Sequence, residues 1–461
     1  MVRLRDKVVR WRSSESDTTS RIREVPGFSR KVGCMSTPLK GSDASVAAKH
    51  PVNAVPRGAL LLSVLVCVVS CFCRSQTHNI LCSDGYDKFE AKFTTGVTVS
   101  VGAARNGKLA RRTCEATLRW DKQDLVVVPE AAQVDIDVLG VDLGLGVPVV
   151  AFQTKEFDAD SRMTYRIYSL QKPPRLLRTI AGGDFFSAAD TDLDGRIEIW
   201  TGDAGAIDGF ENLTLGELDF APTVVLRFEN HRLLDVSSEF RSHSDRQIAE
   251  LRAHLDPQEL SDFRNRDGKL PIMSPLPAVE LHHLRIAKIK VLEIVWSYLY
   301  SDREQDAWRA LADMWPPADF DRIRAAILNA RARGIRSQVD AVSSGTSHFH
   351  VKKFAYLYDT VTHTDRTQID LPENTSLRAD TRPQPILLRR PPPVGVQQAL
   401  PNSEQMVDLI IDAAGKVRSA KAVGEADDDL IQACAGWKFI PAFKDGRPVA
   451  SRLRLAVTAL R

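Results

Sequence analysis

The stretch Trp437-Lys438-Phe439-Ile440-Pro441-Ala442-Phe443-Lys444-Asp445-Gly446-Arg447-Pro448-Val449 decides how the C-terminal part of this chain folds. Trp437 and Phe439 alternate with Lys438 as a strand with one apolar face begins, and Pro441 stops regular pairing because it has no amide hydrogen. Asp445-Gly446 suits a tight hairpin turn into residues 449–457. Upstream, Met406–Asp412 alternates as another strand, Ala414-Gly415-Lys416 turns it back into Val417–Val423, and Ala426–Trp437 reads as a short helix. The predicted order is strand, strand, helix, strand, strand. In the last strand Leu453, Leu455 and Val457 face a core while Arg452, Arg454 and Thr458 face water. Its backbone edge is expected to be free for a partner strand. Arg452 and Arg454 would discourage self-pairing there and favour an acidic partner.

These residues resemble the C-terminal domain of the TonB family. The resemblance rests on Ile411-Asp412-x-x-Gly415-Lys416-Val417, on the helix running into Trp437-Lys438-Phe439-x-Pro441-Ala442, and on Gly446-x-Pro448-Val449. It covers residues 384–461 only, and the lead-in Ile386–Gln405 lacks the Tyr-Pro that the family usually carries. The family implies a periplasmic module that works by protein–protein contact, linking an inner-membrane energy source to outer-membrane transporters by adding strands at a sheet edge. The implied partner is another envelope or outer-membrane protein. Family members that couple to the proton-driven motor resemble one another in a transmembrane Ser followed four residues later by His. Here Ser63 is followed by Cys67, so that contact is missing.

At the other end, Gly58–Cys73 is uncharged and apolar, bounded by Arg57 and Arg74. At about 16 residues it falls short of the roughly 20 that a spanning helix needs and suits a signal-peptide core. Arg3, Arg5, Lys7, Arg10 and Arg12 make the preceding segment basic, which favours export. Met35 is an alternative start that would place the apolar run closer to the N-terminus. Val68-Val69-Ser70-Cys71 resembles a lipobox, in which Cys71 would be acylated; an uncleaved signal anchor is the other reading. Either way, residues 1–74 form a basic leader with a signal peptide or anchor. The protein is expected in the periplasm, membrane-associated through residues 58–73.

With 461 residues, 43% hydrophobic and 26% charged, the chain can bury ordinary cores, in about three domains. Its net charge of +3 hides a strongly basic first 57 residues and a mildly acidic remainder, which leaves no nucleic-acid footprint. Of seven cysteines, Cys82, Cys114 and Cys434 lie clearly beyond the leader. In an oxidising periplasm Cys82 and Cys114 can pair, for roughly 3 to 4 kcal/mol on the chain-entropy model. Cys434, with Leu430 and Ile431, is expected to pack rather than react. No Cys-x-x-Cys occurs, which argues against zinc or redox chemistry.

Residues 75–242 read as a β-rich domain: Thr94–Gly102, Ala116–Trp120, Asp124–Pro129, Pro148–Thr154, Thr164–Leu170, Arg196–Thr201 and Thr223–Glu229 are β-branched or aromatic, between Gly, Asp and Pro clusters. Val141–Gln153 echoes Thr191–Thr201, a period that suggests propeller-like blades or stacked hairpins. The segment is too short for a whole propeller, so a β-sandwich and a partial propeller stay open. The second copy carries Asp190-Thr191-Asp192-Leu193-Asp194-Gly195-Arg196-Ile197-Glu198. Alternate carboxylates in a tight loop converge on a hard cation, and Gly195 supplies the positive φ of the turn. An EF-hand would need an acid where Thr201 stands and a helix after the loop. Because a strand follows, the motif resembles the calcium loops of FG-GAP-type repeats. Asp190, Asp192, Asp194 and Glu198 are then the expected calcium ligands, with Asp184 as an extra one. The alternative is an Asp-rich turn whose carboxylates accept backbone N–H bonds without an ion; the first copy, with Asp142 alone, is expected to bind none.

Residues 243–358 read as mainly helical, from apolar spacing in Asp245–Asp256, Pro257–Asp267, Val279–Trp315 and Phe320–Gly334. Trp296, Trp308 and Trp315 read as core. Residues 359–383 begin a Pro-rich linker, expected to hold the terminal module away from the body. His282-His283 and His348-Phe349-His350 lack the spacing of a metalloprotease, and no Gly-x-Ser-x-Gly turn occurs. The sequence thus predicts an α+β, multidomain, non-enzymatic envelope protein: a β-rich body (sandwich or partial propeller), a helical middle domain and a small TonB-like αβ module. It binds another envelope protein, in outer-membrane transport, or alternatively is a calcium-stabilised exported recognition or adhesion protein.

Overall fold

Period-two alternation in the first half of the chain closes into antiparallel meanders. In the computed structural model a two-residue strand, β1 (Cys82–Ser83), precedes the first meander, β2 (Phe89–Phe93), β3 (Val97–Ala103), β4 (Cys114–Trp120) and β5 (Gln123–Ala131). The second is β6 (Gln133–Val141), β7 (Val149–Lys155), β8 (Met163–Ser169) and β9 (Leu176–Gly183). The third is β10 (Ser187–Ala189), β11 (Glu198–Gly202), β12 (Thr223–Glu229) and β13 (Arg232–Asp235). Each gains a fifth strand from elsewhere: β1 lies antiparallel on β6, and β14 (Ala341–Val342) lies parallel on β13. After β15 (Tyr356–Thr362) the chain returns as β16 (Gln368–Ile369), parallel on β2. The structure describes residues 81–85, 88–105, 112–157, 162–270, 276–343, 356–362, 368–369, 384–387, 404–424, 428–444 and 447–458. Residues 1–74, with Cys71 and the apolar run 58–73, lie outside them, as do His348 and His350. Among the described residues no helix is long and apolar enough to cross a membrane.

Val97, Val99 and Val101 of β3 are buried on one face, as alternation requires. β6 differs, being buried from Val134 onward, with Asp135 and Asp137 inside a buried stretch that holds no other polar side chain. One core lies between the first two meanders around Phe93, Leu118, Val134 and Phe152. A disulfide between Cys82 and Cys114 ties β1 to β4 at its side.

A larger core joins the second and third meanders to the helices through Tyr165, Phe186, Ile199, Leu226, Trp296 and Trp315. The helix Ala278–Tyr300 is apolar on most sides of its second half, so it becomes the centre of this layer rather than its cover. Trp296 and Trp315 are fully buried, and Trp308 packs partly buried against the same core. Each large side chain so placed contributes roughly 1.5–3 kcal/mol by burial. Asp256 caps the helix Pro257–Arg264 by accepting from the amides of Gln258 and Glu259, with Pro257 at the first position where no amide hydrogen is needed.

The C-terminal segment follows as β17 (Gln384–Leu387), β18 (Glu404–Ile411), β19 (Val417–Ala422), the helix Asp428–Ala435, β20 (Lys438–Ile440), β21 (Ala442–Lys444), β22 (Arg447–Val449) and β23 (Ser451–Thr458). Val407, Leu409, Ile411, Cys434, Trp437, Phe439, Leu453 and Leu455 make its core. Burial pushes the Cys434 thiol up to about 12, so it packs as a small apolar group. The molecule is a mixed α+β fold built on several antiparallel sheets.

Two expectations fail here. β23 is not an edge: the sheet order is β15-β23-β18-β19, and β15, from the end of the stretch read as helical and the start of the linker, lies parallel against it. Strand edges are satisfied by any chain within reach, and this chain supplies its own. Nor does the linker hold the module away, because Ile440 and Phe443 are buried in the core of the first two meanders. Apolar side chains left over from the module's own small core gain more by burial in the body than a solvated spacer can offset.

Candidate functional site

The acidic loop between β10 and β11 is organised locally. Asp190 Oδ1 accepts the Asp194 amide at 2.9 Å and its Oδ2 accepts that of Gly195 at 3.1 Å. Asp192 Oδ1 accepts the Asp194 amide at 3.3 Å. Asp194 is turned to Arg196, whose amide and Nε donate to it at 2.8 and 2.6 Å. Leu193 and Gly195 both have positive φ, 61° and 90°, which the tight turn demands. The result brings carboxylate oxygens of Asp190, Asp192 and Asp194 within 4.8 Å of one another. Three oxygens so placed fit one hard cation, although the same atoms are also satisfied by loop amides.

Glu198 is not part of that cluster. Its Oε2 accepts the Thr191 amide at 3.0 Å and its Oε1 lies 3.6 Å from Arg227 Nη1, so the side chain braces the loop from behind. Burial pushes it up to about 8. Asp184, read as an extra ligand, instead accepts the amides of Phe185 and Gly202. The first copy of the repeat is built alike: Asp142 Oδ1 accepts from Gly144, Leu145 and Gly146 at 2.9, 2.7 and 3.0 Å, without further acids beside it in the loop.

A fourth carboxylate arrives from far along the chain. Asp412, in the turn after β18, directs Oδ1 to the amides of Ala414 and Lys416, each at 2.9 Å, and Oδ2 to the Asp190 amide at 3.3 Å. Both residues are fully buried. Burial, together with the neighbouring Asp412 charge, pushes Asp190 up to about 7, and burial pushes Asp412 up to about 6. Gly415, at φ 79°, is obligatory in this turn, because a Cβ there would stand 1.8 Å from the Phe439 carbonyl oxygen. The sequence reading did not place Asp412 here; its motif position signalled the turn, and nothing local signals the loop it meets.

Two lysines of the same module reach β6. Lys416 Nζ donates to Asp137 Oδ1 at 2.5 Å and to Ser187 Oγ at 2.9 Å. Lys438 Nζ donates to the Ile136 carbonyl and lies 3.6 Å from Asp135 Oδ2. From the body itself, Asp137 accepts the Tyr165 hydroxyl at 2.7 Å and the Ala188 amide at 2.8 Å, and Asp135 accepts Gln153 Nε2 at 3.2 Å.

Arg452 and Arg454 both bond Asp408 across the sheet, at 2.5 Å and at 2.6 and 2.8 Å. The hydrogen bonds from Arg454 and then Arg452, helped by their charge and opposed by burial, hold the Asp408 carboxyl down at about 2. They are half-exposed on a sheet face, not aligned on a free edge. His282 and His283 sit on a helix with ring centres 6.1 Å apart, and His283 Nδ1 is 3.8 Å from Glu259. A recess of about 430 Å³ on the first meander is lined by Glu90, Arg105, Glu115 and Arg119, which pair among themselves: Arg119 with Glu90 at 3.3 Å and Arg105 with Glu115 at 3.8 Å. Comparison of the chain with protein-family models, curated proteins and solved structures finds no match.

Proposed function

We propose that the chain is a non-enzymatic bacterial cell-envelope protein, exported and anchored through residues 58–73, whose TonB-like C-terminal module binds another envelope protein in outer-membrane transport. The observation that carries this reading is the module itself: two strands, a helix, the short strands β20, β21 and β22 and the long β23, with Trp437, Phe439 and Cys434 in one core beneath β18 and β23. Its task is contact with another protein. Among the described residues β19 is the outer strand of the module's sheet, with Arg418 and Lys421 exposed along it. An added strand would pair there, and the cations favour an acidic partner.

Affinity capture tests this with the full chain as bait and a detergent-solubilised envelope fraction as prey. One envelope protein should be enriched, and Ala420→Pro should lose it while circular dichroism stays unchanged. If nothing is enriched, or the proline variant captures equally, the reading or its edge is wrong. Fatty-acid labelling abolished by Cys71→Ala tests the anchor.

A second reading rests on the convergence of Asp190, Asp192 and Asp194. In it the three meanders are blades of a partial propeller, the 190–198 loop is an FG-GAP-type calcium turn, and the body is a calcium-stabilised recognition surface. The two readings separate on whether calcium changes stability.

A further inference from the structure

We propose that β6 carries a receptor slot for the C-terminal module, and that Lys416 and Lys438 are the two pins of a reversible latch, closed in this structure. Asp135 and Asp137 are buried two residues apart on one strand, and although its pairing shifts register between Ile136 and Val138, their carboxylates reach the directly paired Gln153 and Tyr165 and so share a face. A buried carboxylate is costly unless a cation compensates it. The groups that the body offers them, the Tyr165 hydroxyl, the Gln153 amide and the Ala188 N–H, are all neutral. Among the described residues the cations paired with them both come from the module, Lys416 with Asp137 and Lys438 with Asp135.

The lysines match this spacing. Lys416 and Lys438 are directly opposed in an antiparallel bridge, although they stand 22 positions apart in the sequence. Like charges directly opposite on a sheet repel, so the pair is unfavourable in a free module and becomes favourable against two acids. The turn that presents Lys416 is held by Asp412 and by the Phe439 amide on the Gly415 carbonyl at 2.8 Å. Ile440 and Phe443 enter the body's core beside the pins, and Asp412 reaches the acidic loop through the Asp190 amide.

Closure therefore conceals two acids on the body and two bases with two apolar anchors on the module. Release would expose all of them together. A partner that displaces the body must reproduce its chemistry: an extended segment with carboxylates at alternate positions among apolar residues. The latch is independent of whether the module has the partner proposed above, and its test does not use that partner.

The test is hydrogen exchange on the full chain carrying Lys416→Met and Lys438→Met, singly and together. In the double variant, exchange in residues 186–195 and 412–416 should rise together by about tenfold or more, while residues 163–169 and 451–455 keep wild-type protection. Lys438→Arg should retain protection. An unchanged 186–195 segment, or a uniform rise across the chain, would overturn the latch. If the double variant does not fold, wild type in low denaturant decides. The two segments should then open in one step below global unfolding, and opening only with the whole molecule refutes the proposal.

Discussion

The Asp412 carboxylate accepts the amide hydrogen of Asp190 at 3.3 Å across 222 positions of sequence, joining the turn of the terminal module to the acidic loop of the body. Each residue raises the stakes for the other, because two buried carboxylates in one place favour either protons or a cation.

Calcium and pH should act on the same carboxylates. Asp190 and Asp412 stand at about 7 and about 6, above the usual 3.8, so the folded state holds more protons than the unfolded state between those values. Their contribution is favourable at low pH and is lost as pH rises through 6 to 7. Melting temperature in chelator should accordingly fall from pH 5 to pH 8. Calcium at a hundredfold over its dissociation constant would restore about 2.7 kcal/mol, a shift of a few degrees. Asp192→Ala with Asp194→Ala should abolish the difference, and identical melting of wild type in calcium and in chelator would remove the ion.

Asp408 gives the opposite sign. Held at about 2 by Arg454 and Arg452, it stabilises the module's sheet above the ordinary carboxylate range and loses that effect as pH falls from about 4 through 2. Acid titration monitored by the module's tryptophan, Trp437, should lose this limb in Asp408→Asn. Coincident acid limbs in the two proteins would refute the assignment.

Gly415→Ala should destabilise the chain by at least ~2 kcal/mol, since it adds a positive-φ penalty to a clash with the Phe439 carbonyl. Chemical denaturation measures it. A loss within ~0.5 kcal/mol would mean that the turn relaxes away from β20 at little cost.

Removing the Cys82–Cys114 disulfide by Cys82→Ala should cost about 2–4 kcal/mol. The same loss should follow when wild type is melted in reductant, and the variant should then show no further response to reductant. A wild type indifferent to reductant would leave the bond without a stabilising role.

The sequence by itself determined what is written within a few residues. Alternation at Val97, Val99 and Val101 fixed a strand face, Gly415 and Gly195 fixed turns, and the Asp190–Asp194 spacing fixed a tight acidic loop, which the structure closes onto its own amides. Each depends on φ, on side-chain period or on a hydrogen bond across four or five positions, so each leaves a local trace.

Tertiary structure alone decided which distant residues meet. That β15 lies beside β23, that Glu198 braces the loop and turns to Arg227, and that Lys416 and Lys438 find Asp137 and Asp135 depend on whole faces fitting together. A buried carboxylate such as Asp137 looks in sequence like any solvated acid. Only the packed fold removes its water, and only then does it require a cation brought from 279 positions away.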